Sequence, residues 1–276
     1  MTKDLHDVKY WTYHDPKKPT CIFIHGFTGS HEGFQYIIPG LEEFHIIVPD
    51  LPGFGQSKLI LDEFTIDALA RKVNDFVRHL DLMTPPYLVS HSMGGLVAAS
   101  MLAQNPELFH QKTVFISPVA TKVNYLDSRR LGAYLGRLQY FVGKSVPKAG
   151  PRLVKSRLIS RIATSLILTT NEREMKKTIT GHHFKNLDYI SSIDFYHRLH
   201  VDINKKGAID YADALNKKFK PLIIAGNKDN VTPLTTEKEL SKALNAQLHV
   251  VPGVGHLLHY ERPTEVAAAL NAFLSR

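Results

Sequence analysis

Six short apolar runs restrict this chain more than any other feature: "CIFI" (21–24), "FHIIV" (44–48), "YLVS" (87–90), "TVFIS" (113–117), "PLIIAG" (221–226) and "QLHVV" (247–251). Each is too short to be a core helix, rich in Ile and Val, and nearly continuous where a half-exposed strand would alternate. Such runs fit strands covered on both faces, the condition of a parallel sheet. Between them lie stretches with helical spacing. "TIDALARKVNDFVRHLDL" sets Ile66, Leu69, Ala70, Val73, Phe76, Val77 and Leu80 on one stripe, with Arg71, Lys72, Asp75 and Arg78 elsewhere. Alternating strands and helices predict an α/β doubly wound sheet, in which ligands bind beyond the carboxyl ends of the strands.

The run "YLVS" leads into "HSMG" and then "GLVAASMLAQ", a strand, a sharp turn and a helix. A serine at the tip of such a bend has its hydroxyl projected into the crevice, and its neighbours are small so that strand and helix can approach. The pattern is that of the nucleophile elbow G-x-S-x-G. Here it reads Ser90-His91-Ser92-Met93-Gly94, with serine in place of the first glycine, which predicts tighter packing at the turn.

A neutral hydroxyl needs a base to take its proton and a third group to orient that base. "NKDNVTP" follows "PLIIAG" and places Asp229 beyond that strand; "PGVGHLLHYERP" follows "QLHVV" and places His256 beyond the next. Asp210 and Asp213 precede their strand and are weaker choices. His259 competes with His256, but His256 follows Gly253 and Gly255 in a turn, whereas His259 falls where a helix begins. His182, His183 and the remaining histidines are read as solvent or packing residues. Attack on a carbonyl also requires donors for the developing oxyanion. The Met93 N–H, next after the serine, is one; the loop "HGFTGS" (25–30) behind the first core run offers the Phe27 N–H as the second. That loop lacks the spacing of a phosphate-cradling loop.

Taken in order, "HGFTGS", "VPDLPGFGQS", "SHSMGG", "GNKDNVTP" and "GVGHLLHYERP" resemble the signature of the α/β-hydrolase superfamily, in its esterase and lipase branch, over residues 8–118 and 213–276. The resemblance implies an α/β-hydrolase fold with Ser92 as nucleophile, His256 as base, Asp229 as orienting acid and the Phe27 and Met93 amides as oxyanion hole. It also implies a structural role near the site for Asp50. Members that open epoxides or remove halogens carry Asp where Ser92 stands. The reaction expected is hydrolysis of a small-molecule carboxylic ester with a hydrophobic acyl chain. Neighbouring alternatives are C–C bond hydrolysis, a menaquinone-pathway type of elimination, and a ligand-binding receptor built on the same fold. No metal, organic cofactor or nucleic acid is expected.

Composition isolates the middle of the chain. From Ala120 to Lys220 there are 20 Lys and Arg against 8 Asp and Glu; the remainder has 14 against 18. Core segments 1–118 and 213–276 with a helical cap over 119–212 are therefore expected. Two stretches in the cap read as amphipathic helices. "RRLGAYLGRLQYFVGK" places Leu131, Tyr134, Leu135, Leu138 and Phe141 on a stripe; "PRLVKSRLISRIATSLIL" does so with Val154, Leu158, Ile162 and Leu166 beside Arg152, Lys155, Arg157 and Arg161. The first expectation is that these stripes roof the pocket while the cations are solvated. The alternative is contact with an anionic membrane surface or attraction of acidic substrates. No run reaches the roughly 20 apolar residues of a membrane span, and the first 16 residues lack the apolar segment of a signal peptide. With one cysteine, Cys21, no internal disulfide forms, which together with those features points to the cytoplasm. Cys21 itself is expected to be inert core.

Overall fold

The computed structural model describes residues 2–122, 139–146 and 149–275. Eight strands form one sheet: β1 (Thr2–Leu5), β2 (Val8–Tyr13), β3 (Thr20–Ile24), β4 (His45–Pro49), β5 (Tyr87–His91), β6 (Lys112–Ile116), β7 (Lys220–Gly226) and β8 (Gln247–Val251). Their order across the sheet is β1-β2-β4-β3-β5-β6-β7-β8. The six apolar runs become β3 to β8 and pair in parallel; β1 and β2 join by antiparallel pairing. The sequence pattern does not reveal these first two strands, because "VKYWTY" is only half-buried and carries no apolar run.

Alternate residues of the central strands face opposite cores. Ile22 and Ile24 of β3 and Leu88 of β5 pack in one cluster with helices α1 (Ile66–Arg78) and α2 (Met93–Gln104). Cys21, Phe23 and Val89 pack in the other, against Phe34, Ile37 and the carboxyl-terminal helix Pro263–Leu274. Helix α1 begins where the Thr65 side chain accepts a hydrogen bond from the Ala68 N–H at 3.2 Å. Of its apolar stripe, Ile66, Leu69, Ala70, Val73, Phe76 and Val77 are buried, and Leu80, past the helix end, is half-buried. Cys21 is 1 % exposed, and burial pushes its thiol pKa well up, so it stays a protonated core residue.

Register brings the carboxyl ends to one edge. Ile24 of β3 lies beside Ser90 of β5, His91 beside Ile116, Ile116 beside Ile224, and Gly226 beside Val251. The loops that follow therefore open on the same rim.

Between β6 and β7 the described chain is helical: residues 139–145, Gly150–Val154, Arg157–Ile167, Arg173–Asp188 and Ile193–Ile203, then short turns to Leu215. Leu131, Tyr134, Leu135 and Leu138 lie outside the described residues. The second stripe departs from the first expectation. Val154 is buried, but Ser156 starts a new helix, and Leu158, Ile162 and Leu166 face solvent, as does Phe141. The helix Arg157–Ile167 turns Thr164 inward instead, where its hydroxyl meets His183 Nδ1 at 2.6 Å. Among the described residues no helix is long and apolar enough to cross a membrane.

Candidate active site

Ser92 sits between β5 and α2 with φ 56° and ψ −122°, a conformation that a non-glycine residue adopts only when its surroundings hold it. The surroundings do so through the backbone. The Ser92 N–H donates to Ile116 O at 3.1 Å, and its carbonyl accepts from Gly95 N at 2.9 Å and Val119 N at 3.1 Å. The turn also needs absent side chains: a Cβ on Gly94 would lie 2.2 Å from the Ile24 carbonyl oxygen, and one on Gly26 would lie 3.1 Å from Ser92 Cβ. Ser90, standing where the elbow pattern has glycine, is fully buried, and its hydroxyl donates to Val114 O at 3.2 Å. The extra side chain is thus satisfied by the neighbouring strand.

Asp229, in the loop after β7, and His256, after β8, are both buried and converge on Ser92. The Ser92 hydroxyl lies 2.9 Å from His256 Nε2, and His256 Nδ1 lies 2.8 Å from Asp229 Oδ2. A carboxylate only accepts, so Nδ1 carries the proton and Nε2 presents a lone pair to the hydroxyl. Asp229 is itself held at both oxygens. Oδ1 accepts the Val231 and Thr232 N–H groups at 2.8 Å each, and Oδ2 accepts the Thr232 hydroxyl at 2.8 Å. Burial alone would raise the carboxyl pKa; the charge and hydrogen bond of His256 and the bonds from Thr232 outweigh it and keep Asp229 ionised, below its ordinary range.

Phe27 lines the same cavity as Ser92, and Met93 follows Ser92 as the first residue of α2. The Phe27 loop is set by His25. Its Nδ1 donates to Gly26 O at 2.8 Å, and its Nε2 accepts from Leu51 N at 3.0 Å. Asp50, fully buried, ties the following turn together by accepting from the His31 N–H at 2.7 Å and the Gln56 N–H at 2.8 Å.

Ser92 opens on a cavity of about 120 Å³. Besides Phe27 and His256, its walls include Ser30, Ile167, His183, Asn186 and Tyr260. Ile167, His183 and Asn186 come from the segment inserted between β6 and β7, so His183 is part of the cavity wall and more than the packing residue expected. Asn186 also accepts from the Ser30 hydroxyl at 3.0 Å.

Three supports carry no signal that the sequence pattern singles out. His91, the second residue of the elbow, donates through Nε2 to the His256 carbonyl at 3.1 Å; burial first, and then the charge of His256, lower its pKa to about 3, so it stays neutral. Glu261, 3 % exposed, accepts from the Thr169 N–H at 3.1 Å and the Thr169 hydroxyl at 2.6 Å, and that hydroxyl in turn accepts from the Gly255 N–H at 3.1 Å. The residue before His256 is thereby tied to the inserted segment. Asn230, beside Asp229, ties in as well, donating to Leu166 O at 2.7 Å. Each tie joins positions far apart in sequence. Among the described residues no group of three or more His, Cys, Asp or Glu is placed to hold a metal ion.

A strained serine at a strand-to-helix turn, with histidine and carboxylate from later loops in line behind it, is the arrangement of one large class of folds. Residues 19–263 match the model of the alpha/beta hydrolase fold family, and the chain belongs to that family. Among its relatives, it is 28 % identical to a protein of Bacillus subtilis described as an uncharacterized hydrolase, YugF, over 99 % of this chain and 96 % of that one. It is 27 % identical to the monoacylglycerol lipase ABHD6 of Bos taurus, over 94 % of this chain and 76 % of that one. Solved structures agree on the fold. A bromoperoxidase from Bacillus anthracis superposes with a TM-score of 0.80 at 19 % identity, covering 98 % of this chain and 95 % of that one. A thermophilic esterase from Thermogutta terrifontis does so with 0.74 at 21 %, covering 97 % and 93 %.

Proposed function

We propose that the protein is a serine hydrolase that cleaves a small carboxylic ester with an apolar acyl group through an acyl-enzyme. The observation that carries the reading is the aligned relay: Ser92 Oγ 2.9 Å from His256 Nε2, and His256 Nδ1 2.8 Å from a buried, ionised Asp229. In the first half-reaction Ser92 Oγ bonds to the ester carbonyl carbon while its proton passes to His256 Nε2. The carbonyl oxygen becomes an oxyanion held by the Phe27 and Met93 amides. Collapse breaks the bond to the alcohol, which leaves with the proton from His256. Water then attacks the acyl group, His256 again taking the proton, and the acid departs as Ser92 recovers its hydrogen. Asp229 stabilises the imidazolium in both halves.

Residues 119–212 serve as a cap, and their Ile167, His183 and Asn186 complete the acyl side of the cavity. Phe27, Phe34, Leu257 and Tyr260 in the wall of that cavity favour an apolar acyl group. Relatives named as a lipase and a hydrolase support the reaction class. A cytoplasmic location rests on the one cysteine, which is buried and has no internal disulfide partner.

The test uses p-nitrophenyl esters from acetate to decanoate. Turnover is expected on the apolar acyl esters of the series, falling by about 10⁶ in kcat for Ser92→Ala. A fluorophosphonate probe is expected to label the wild-type chain at Ser92. Equal ester turnover by wild type and Ser92→Ala ends the proposal.

A further inference from the structure

The helix Arg157–Ile167 carries three of its five large aliphatic side chains on the outside, while Ile159 and Ile167 are half-buried. Leu158, Ile162 and Leu166 recur at every fourth residue, so they share one face, and they are 67 %, 53 % and 54 % exposed. Exposed apolar residues scattered singly need no explanation, but an ordered stripe along a helix does. The opposite side of the helix packs through Thr164, so the stripe is not left over from a buried face.

The stripe is bordered by positive charge. Arg157 and Arg161 sit over the Phe184 ring at 5.6 and 5.8 Å, which holds both guanidinium groups along one flank of the helix. Arg152 and Lys155, just before it, are exposed. Between Asp127 and Glu172 the sequence has nine Lys and Arg and no acidic residue. The helix also ends at the site: Leu166 O accepts from Asn230, next to Asp229, and Ile167 lines the cavity that holds Ser92.

We propose that this face docks the protein on an anionic lipid bilayer, with Leu158, Ile162 and Leu166 seated between headgroups and the flanking cations on the phosphates. Aliphatic side chains rimmed by Arg and Lys are what an amphipathic helix lying in a membrane interface requires. Charge decides against the other obvious occupant. A second copy set face to face would put Arg152, Lys155, Arg157 and Arg161 against the same cations with no neighbouring acid in the sequence to offset them, whereas an anionic surface is complementary to each. Docking would bring the mouth of the Ser92 cavity to the lipid boundary.

Binding is read without turnover, so the outcome is independent of the proposed reaction. The full chain is sedimented with vesicles of phosphatidylcholine alone and of phosphatidylcholine with phosphatidylglycerol. The wild-type protein is expected to pellet with the anionic vesicles at 0.01 M salt, where the screening length is about 30 Å, and to be largely released at 1 M, where it is about 3 Å. It is expected to remain in solution with phosphatidylcholine alone. The variant Leu158→Ser/Ile162→Ser/Leu166→Ser changes only exposed side chains and is expected to lose on the order of tenfold in partitioning per residue. Arg157→Gln/Arg161→Gln is expected to lose about fivefold per cation and much of the salt dependence. Wild type left in the supernatant with anionic vesicles overturns the proposal. So does binding by the triple serine variant equal to wild type, or a wild-type dimer in sedimentation velocity that the triple serine variant dissolves.

Discussion

Replacing Asp229 by asparagine tests the relay at a single atom. Asp229 Oδ1 accepts two backbone N–H groups, from Val231 and Thr232, and the amide oxygen of asparagine accepts the same pair. That requirement fixes the orientation of the new side chain: its NH2 takes the place of Oδ2. The Thr232 hydroxyl, 2.8 Å away, can turn and accept. His256 Nδ1, also at 2.8 Å, meets a donor where it had an acceptor, so its proton must move to Nε2. Nε2 then offers a hydrogen to Ser92 Oγ instead of a lone pair, and the serine has no base. The loop stays folded because both of its backbone bonds survive. A tautomer reversed in this way costs about 10⁴ in kcat, about 5 kcal/mol of barrier. The assay is hydrolysis of p-nitrophenyl butyrate, with the thermal midpoint from circular dichroism as the control for folding. A correctly folded Asp229→Asn that keeps more than a tenth of wild-type kcat refutes the reasoning.

Two further outcomes follow from the same contacts. Thr169→Val removes the hydroxyl between Glu261 and the Gly255 N–H at nearly constant volume and is expected to lower kcat by about tenfold at unchanged KM, with Thr169→Ser restoring it; equal kcat for all three would show that this tie does not position His256. Acid is expected to destabilise the fold below neutrality. The buried His91 is lowered to about 3, so on descending through the ordinary histidine value of 6.5 the unfolded chain takes up a proton that the folded chain refuses. That is about 2 kcal/mol from His91 between pH 6.5 and 5. His25, His183 and His259 act in the same direction. Asp229 has the opposite sense: its contribution is complete above its ordinary 3.8 and goes only at lower pH, so it adds nothing in that window. Guanidinium midpoints at the two pH values measure the change, and His91→Gln should flatten it by one proton.

Chain order alone made much of this legible. Continuous Ile and Val runs alternating with helices point to a parallel sheet, which sends its loops to one rim, so Ser92, Asp229 and His256 were nameable from their places after β5, β7 and β8. Strand β8 itself, at the sheet edge, is mostly uncovered and does not fit the both-faces reading. The half-buried strand Val8–Tyr13 was not, because its side chains satisfy no single periodic pattern. Nor was the direction of the helix Arg157–Ile167: a stripe of aliphatic residues spaced by four fixes that they share a face, and only the packing of Thr164 against His183 decides that this face looks outward. The ties from Glu261 through Thr169 to Gly255, and from His91 to the His256 carbonyl, span up to 165 positions and involve residue types common anywhere. Local sequence determines which backbone groups can turn, cap or extend; which distant side chain satisfies a given donor is set when the loops meet, and that is a property of the folded chain.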